Sequence, residues 1–238
     1  MWNRIIESNP ARGVKRFKDN KNDVFLTIEQ IKELGTLLRL LEEQGENKTA
    51  INAIKLLLLT GCRRNEILSL KWEYIDFKNK CFRFPDTKTG RQIRAFGQGA
   101  LNLLSELKQQ SKSEWVFPSN VNSGHLVGLP RIFRKIRVIE NPETNKPYIG
   151  KDVCIHSLRH SFASLGADMG FTEFSLAGLL GHRLGSVTNR YSHNVDTSLI
   201  HTADKISLRI ENALNGNLEQ ENKVVNLRGA RVWQTIQL

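Results

Sequence analysis

The stretch AINAIKLLLLTGCRRNEIL, residues 50–68, decides the fold. Residues 50–60 are apolar nearly all round, which marks a helix buried on every side and not an amphipathic surface helix. Gly61 stops that helix. Behind the stop come Arg63 and Arg64, with Glu66 three residues after Arg63. The spacing fits an ordinary surface ion pair, but its place at the end of a core helix makes the segment a candidate site.

Before this stretch, Thr27-Ile28-Glu29-Gln30 has the capping-box pattern, and Ile31, Leu34, Leu37, Leu38 and Leu41 recur at helical spacing. The pattern predicts a helix of about 15 residues. After it, residues 72–77, 81–85 and 91–97 are short, aromatic and branched runs separated by polar turns, which predicts a small antiparallel sheet. Helices are expected again at 99–110, 130–139, 157–169, 173–180 and 197–214. The last of these has Asp196 as N-cap and Leu199, Ala203, Ile206 and Ile210 on one face. The predicted class is mainly α with a small antiparallel β-sheet (α+β). Residues 1–23 read as the end of a helix and a basic linker, residues 24–214 as the main domain, and residues 215–238 as a tail that docks in cis or on a neighbouring protomer.

Hydrophobic residues make up 39% of the 238 and charged residues 25%, the ordinary values of a folded globular chain and not of a disordered one. The unusual quantity is the sign of the charge: 35 Lys and Arg against 24 Asp and Glu give +11. That excess points to a polyanionic partner, either nucleic acid or an anionic membrane surface. No apolar run approaches the roughly 18 residues of a spanning helix, since residues 51–59 are broken by Asn52 and Lys55. Residues 1–13 lack an apolar signal core. Cys62, Cys81 and Cys154 are odd in number and without metal spacing, so the expectation is a reducing, cytoplasmic setting with buried or inert thiols and no metal.

Charge is uneven along the chain. Residues 78–94 carry Lys78, Lys80, Arg83, Lys88, Arg91 and Arg94 against one acid, Asp86. This hairpin is read as following a phosphate backbone, with a solvated sheet edge as the other reading. Lys15 and Arg16 of the linker and Arg64 complete the set of cations expected to contact that phosphate backbone.

Residues suited to phosphoryl transfer lie in four segments. Arg63 and Glu66 lie in TGCRRNEI, and Lys88 lies in the turn DTKTG. His156 and Arg159, three apart and therefore on one helical face, lie in CIHSLRHSF, where Leu158, Phe162 and Leu165 are expected to pack inward. His182 ends LLGH, and Tyr191 follows nine residues later in TNRYSH. Singly, each of these has a bland structural reading.

In order, the strings TGCRRNEILSLKW, TKTG, HSLRHSFAS, LLGH and NRYSH resemble the tyrosine recombinases, the phage-integrase type of site-specific recombinase. The resemblance runs over about residues 9–213. It implies the catalytic-domain fold of the DNA breaking-rejoining enzymes. It also implies Tyr191 as nucleophile, Arg63 and Arg159 as catalytic arginines, Lys88 as hairpin lysine, His156 and His182 as catalytic histidines, and Glu66 as a supporting acid. Arg64 competes with Arg63 as the inward arginine. The sequence departs from the resemblance after Lys88, where Ile93-Arg94-Ala95-Phe96 replaces a Val-Pro-Leu-like strand.

The implied activity is cleavage and rejoining of duplex DNA through a 3′-phosphotyrosyl link, for integration or excision of a phage or mobile element, without cofactor or metal. The implied partners are attachment-site duplex DNA, three further copies in a homo-tetramer, and DNA-bending accessory proteins; no membrane is involved. The chain is expected to be cytoplasmic and nucleoid-associated, and to be the catalytic part of a longer protein whose N-terminal domain closes a clamp around DNA. A type IB topoisomerase-like enzyme and a non-catalytic DNA-binding protein remain as alternatives.

Overall fold

Thr27 caps the first helix as the sequence requires. Its hydroxyl accepts from the Gln30 N–H at 3.3 Å while the Gln30 side chain accepts from the Thr27 N–H at 3.0 Å, a reciprocal cap that offsets two orphan donors. The computed structural model describes residues 24–85, 90–121, 123–182 and 196–217. The expected helix at 1–8, the linker cations Lys15 and Arg16, Lys88, Tyr191 and residues 218–238 of the tail lie outside the described residues.

Helix α1 spans Ile28–Glu43 and helix α2 spans Lys48–Thr60, ending at Gly61. The predicted all-round burial of α2 holds: Ile54, Leu56 and Leu58 are fully buried. A five-residue helix, α3 (Arg64–Leu68), follows directly; the sequence reading assigned it no element. Trp72–Tyr74 forms a 3₁₀ turn, so only Ile75–Asp76 of the first expected strand pairs as β1. Strands β2 (Cys81–Phe84) and β3 (Gln92–Ala95) complete an antiparallel sheet in the order β1-β2-β3.

Helix α4 (Gln98–Gln110) is followed by residues without a regular strand or helix, of which Val116, Phe117 and Leu126 enter the core. Helix α5 (Leu129–Ile136) precedes a two-stranded hairpin, β4 (Glu140–Asn141) and β5 (Lys146–Pro147), that the sequence reading did not anticipate. Helices α6 (Ile155–Asp168), α7 (Glu173–Leu180) and α8 (Thr197–Leu214) close the body. The α8 boundaries and its Asp196 cap are those predicted, with the Asp196 carboxylate accepting from the Ser198 N–H at 2.9 Å.

The core is a helical layer in which α2 packs on α6, while α8 packs on α1 and α4. Leu158, Phe162 and Leu165 of α6 point into it, as expected. Each fully buried Leu or Ile of this layer stabilises the fold by roughly 1.5–3 kcal/mol. The ends of α2, α6 and α7 therefore meet at fixed positions, and the candidate site is built there.

Candidate active site

Two left-handed glycines end the helices that frame the site. Gly61 closes α2 at φ 61° and Gly181 closes α7 at φ 65°, a conformation that favours glycine. Each turn points a carbonyl inward, and the Arg159 guanidinium bridges them. Nη1 donates to the Gly61 carbonyl at 2.8 Å and Nη2 to the Leu180 carbonyl at 2.9 Å. Nη2 also donates to His182 Nε2 at 2.9 Å. A guanidinium can only donate, so His182 Nε2 is the accepting nitrogen and its ring is the neutral Nδ1–H tautomer. Arg159 is 6% exposed. Burial, then the charge of Arg63, brings its pKa down to about 10, which leaves it charged at neutral pH.

Arg63 stands at the N-cap of α3, two residues after Gly61. Its Nη1 donates to Glu66 Oε1 at 3.0 Å and its backbone N–H to Oε2 at 2.8 Å. Arg64 is exposed, and among the described residues its side chain donates to its neighbour Asn65 at 3.0 Å. Of the two competing arginines, Arg63 is the one held in place. Glu66 also meets Arg94, through Nη1 at 3.0 Å and Nη2 at 2.8 Å. Burial pushes the Glu66 carboxyl up, but the Arg94 charge and the bonds from Arg63 outweigh it and hold the group below its ordinary value.

His156 opens α6 on its exposed side, with the His160 ring edge-on at 4.7 Å between centroids. Burial, then His160, Arg159 and Arg63, lower its pKa, so it is neutral at pH 7 and able to accept a proton. The same kinds of cause, burial and then Arg159, lower the pKa of His182. Cys62 is buried, and burial pushes its thiol up. Cys154 is exposed, contrary to the expectation of buried or inert thiols. Burial raises its pKa in part, but bonds from Ser157 and the His156 N–H prevail and lower it.

A cleft of about 890 Å³ joins these groups. Arg63, Arg64, Arg159 and His156 line it, and Tyr74, Phe84, Pro85 and Trp115 contribute aromatic and apolar wall, which the sequence reading missed. His182 is not among the lining residues and meets the site through Arg159. Three of the five Arg159 N–H groups are committed to the bonds above, which leaves two for an anion in the cleft. No group of His, Cys, Asp and Glu suited to holding a metal occurs among the described residues.

The DNA-contacting set needs correction. Arg94 is 1% exposed, with its side chain fully enclosed against Glu66, Gln92 and the Phe84 ring, so it cannot contact a phosphate. The reason is register. Arg94 pairs across the strands with Phe82, and opposite residues share a sheet face, so Arg94 points into the core with Phe82 and Phe84. Arg83, on the other face, is held by Asp76 at 2.8 Å, and Lys80 Nζ by Asp204 at 3.1 Å and Gln98 at 2.8 Å. Lys78 and Arg91 are exposed. Exposed cations that the sequence reading passed over, Arg131, Arg134 and Lys135, lie on α5.

Comparison with known proteins agrees with this architecture. The prophage integrase IntF of Escherichia coli K12 is 30% identical over 177 residues, covering 72% of this chain and 35% of that protein. The integrase of Escherichia phage P2 is 31% identical over 229 residues, covering 93% of this chain and 58% of its own length. This chain thus spans about a third to somewhat over half the length of these curated relatives. Among solved structures, the crystal structure of XerA recombinase superposes with a TM-score of 0.52 at 22% identity, covering 74% of this chain and 62% of that one, and shares its fold. The family model described as "Phage integrase family" matches residues 25–198, which contain α1 to α7, the Arg159 bridge and the whole cleft, and the chain therefore belongs to the phage integrase family.

Proposed function

We propose that this chain is the catalytic part of a site-specific DNA recombinase that cleaves and rejoins duplex DNA through Tyr191. The observation that carries the reading is the convergence of two guanidinium groups from separate elements, Arg63 and Arg159, on one cleft beside a neutral histidine. Relatives of this chain are named integrases and recombinases, and a solved recombinase of similar fold is bound to its DNA substrate.

In this reading the Tyr191 hydroxyl attacks the scissile phosphorus. A bond forms between the tyrosine oxygen and phosphorus, and the bond to the 5′-oxygen of the next nucleotide breaks. His156 accepts the phenol proton, and Lys88 donates a proton to the departing 5′-oxygen. An unperturbed tyrosine has a pKa of about 10 and needs this help at neutral pH. Arg63 and Arg159 bind the non-bridging oxygens, on which charge is concentrated in the transition state. The link keeps the phosphodiester bond energy, so a second DNA hydroxyl reverses the step without ATP. His182 holds Arg159 and donates through Nδ1. Residues 24–214 make up the catalytic unit, which works on attachment-site DNA as a homo-tetramer with DNA-bending proteins, in integration or excision of a mobile element. Exposed Arg64, Lys78 and Arg91 hold the duplex.

The test uses wild type and Tyr191→Phe on a pool of nicked duplex oligonucleotides of randomised sequence, scored for adducts that survive denaturing gels. Wild type is expected to form adducts enriched in particular sequences, and Tyr191→Phe none. Adducts that persist in Tyr191→Phe refute the nucleophile, and adducts without sequence enrichment favour a topoisomerase-like activity.

A further inference from the structure

Arg94 is the bulkiest side chain among the described residues that is removed from solvent. It stands where the sequence departs from its likeness, in Ile93-Arg94-Ala95-Phe96. Four hydrogen bonds meet on the Glu66 carboxylate, and each oxygen accepts one from Arg63 and one from Arg94. Glu66 alone would neutralise Arg63. With Arg94 the trio carries one net positive charge, and Arg63 keeps N–H groups for an anion. On its other side Arg94 is packed against the Gly181 turn, where a Cβ would lie 2.2 Å from Arg94 Nε. That turn carries His182.

We propose that Arg94 is a positioning residue for the recombinase reaction: it clamps Glu66 so that Glu66 presents Arg63 to the scissile phosphate, and it backs the turn that carries His182. The inference rests on the recombinase reading above. Arg94 lies outside the cleft lining and acts through Glu66.

The test compares wild type, Arg94→Met, Arg94→Lys, Glu66→Gln and the double variant Arg94→Met/Glu66→Gln. Single-turnover adduct formation and equilibrium binding are read on the nicked-duplex pool. Arg94→Met is expected to slow cleavage about 100-fold with binding within about threefold, since a transition-state contact is disturbed. Arg94→Lys, which keeps the charge but not the fork, slows it about tenfold. The double variant loses no more than the worse single variant, because both act through one carboxylate.

Additive losses overturn the proposal, and so does an unchanged rate in Arg94→Met. Should Arg94→Met fail to fold, an unchanged rate in Arg94→Lys overturns it. A readout independent of cleavage is the carboxyl carbon-13 titration of Glu66, expected to move to higher pH when the Arg94 charge is removed. If wild type forms no adduct, the recombinase reading itself fails and the titration decides alone: a Glu66 that titrates in its ordinary range with Arg94 present overturns the clamp.

Discussion

Replacing Arg159 by lysine separates its two tasks. The guanidinium ties the Gly61 and Leu180 carbonyls together and holds His182, three bonds at 2.8–2.9 Å from a side chain 6% exposed. A lysine ammonium keeps the charge, but one nitrogen cannot span two turns that a planar fork bridges. At least one carbonyl loses its partner. Hydrogen bonds to charged groups contribute about 1.5–3 kcal/mol each, and an orphaned buried acceptor costs about 1–3 kcal/mol. The net loss of stability in Arg159→Lys is therefore about 2–4 kcal/mol, and with 2–4 °C per kcal/mol for a domain of this size the melting temperature falls by about 5–15 °C.

Cleavage is affected separately. Loss of a donor aimed at developing charge slows chemistry by about 10²–10³-fold, whereas DNA binding, spread over other cations, weakens less than about tenfold. Thermal scanning gives the first number. Single-turnover adduct formation and equilibrium binding, both well below the variant's melting temperature, give the second and third. A melting temperature within about 2 °C of wild type would refute the tether between the two turns, and binding that falls in step with cleavage would refute the transition-state role.

Gly181→Ala combines a strained φ of 65° with a Cβ 2.2 Å from Arg94 Nε, whereas Gly170→Ala meets open space at φ 82°. Strain alone costs about 1–2 kcal/mol, so chemical denaturation is expected to show Gly181→Ala as the costlier change by at least about 1 kcal/mol; equal losses would contradict the packing of Arg94. The lowered pKa values of His156 and His182 mean that the unfolded chain binds their protons first, so stability falls as pH drops below about 6.5. Glu66, also lowered, contributes stability that is present above its ordinary value and lost as pH falls through its folded value. Unfolding measured from pH 8 to 3 should show both limbs, and Glu66→Gln should remove the share of the lower one due to that group. The salt dependence of DNA binding should drop by about 0.9 in log–log slope for each of Arg64→Gln, Lys78→Gln and Arg91→Gln; Arg83→Gln, whose cation is already held by Asp76, should change it less.

Much of the fold was legible because its signals are local. The Thr27 box, the Asp196 cap and the 3.6-residue recurrence of apolar positions each depend on neighbours within one or two turns, and α1, α7 and α8 fall where those signals place them. Helix α3 was missed because five residues carry too little periodicity to separate a helix from a turn. The β4–β5 hairpin was missed because two-residue strands leave no alternation to read.

The candidate site was legible in part for a different reason. Arg63, His156, Arg159 and His182 stand out through the ordered strings that carry the family resemblance, but what each is bonded to depends on where the Gly61 and Gly181 turns meet in space. That Arg159 serves carbonyls on both turns, 98 and 21 residues away in sequence, has no local signature.

The hairpin shows where a charge count along the chain misleads. Within residues 78–94 a single acid stands against six cations. In space, three of the five described cations meet acids from outside that window: Asp76 beside the hairpin, Glu66 on α3 and Asp204 on α8. The local excess is thus much smaller than the sequence window suggests, and the three pairs have different consequences. Arg83–Asp76 is exposed and contributes little to stability. Lys80–Asp204 pins the hairpin to α8. Arg94–Glu66 is buried and leaves Arg63 in a group with net positive charge, so a cation assigned by its position in a basic run to holding DNA acts instead on the electrostatics of the cleft. Register supplies the distinction: once Phe82 and Phe84 are placed inward, antiparallel pairing puts Arg94 inward with them, and a buried guanidinium then requires a carboxylate that only the tertiary fold brings to it.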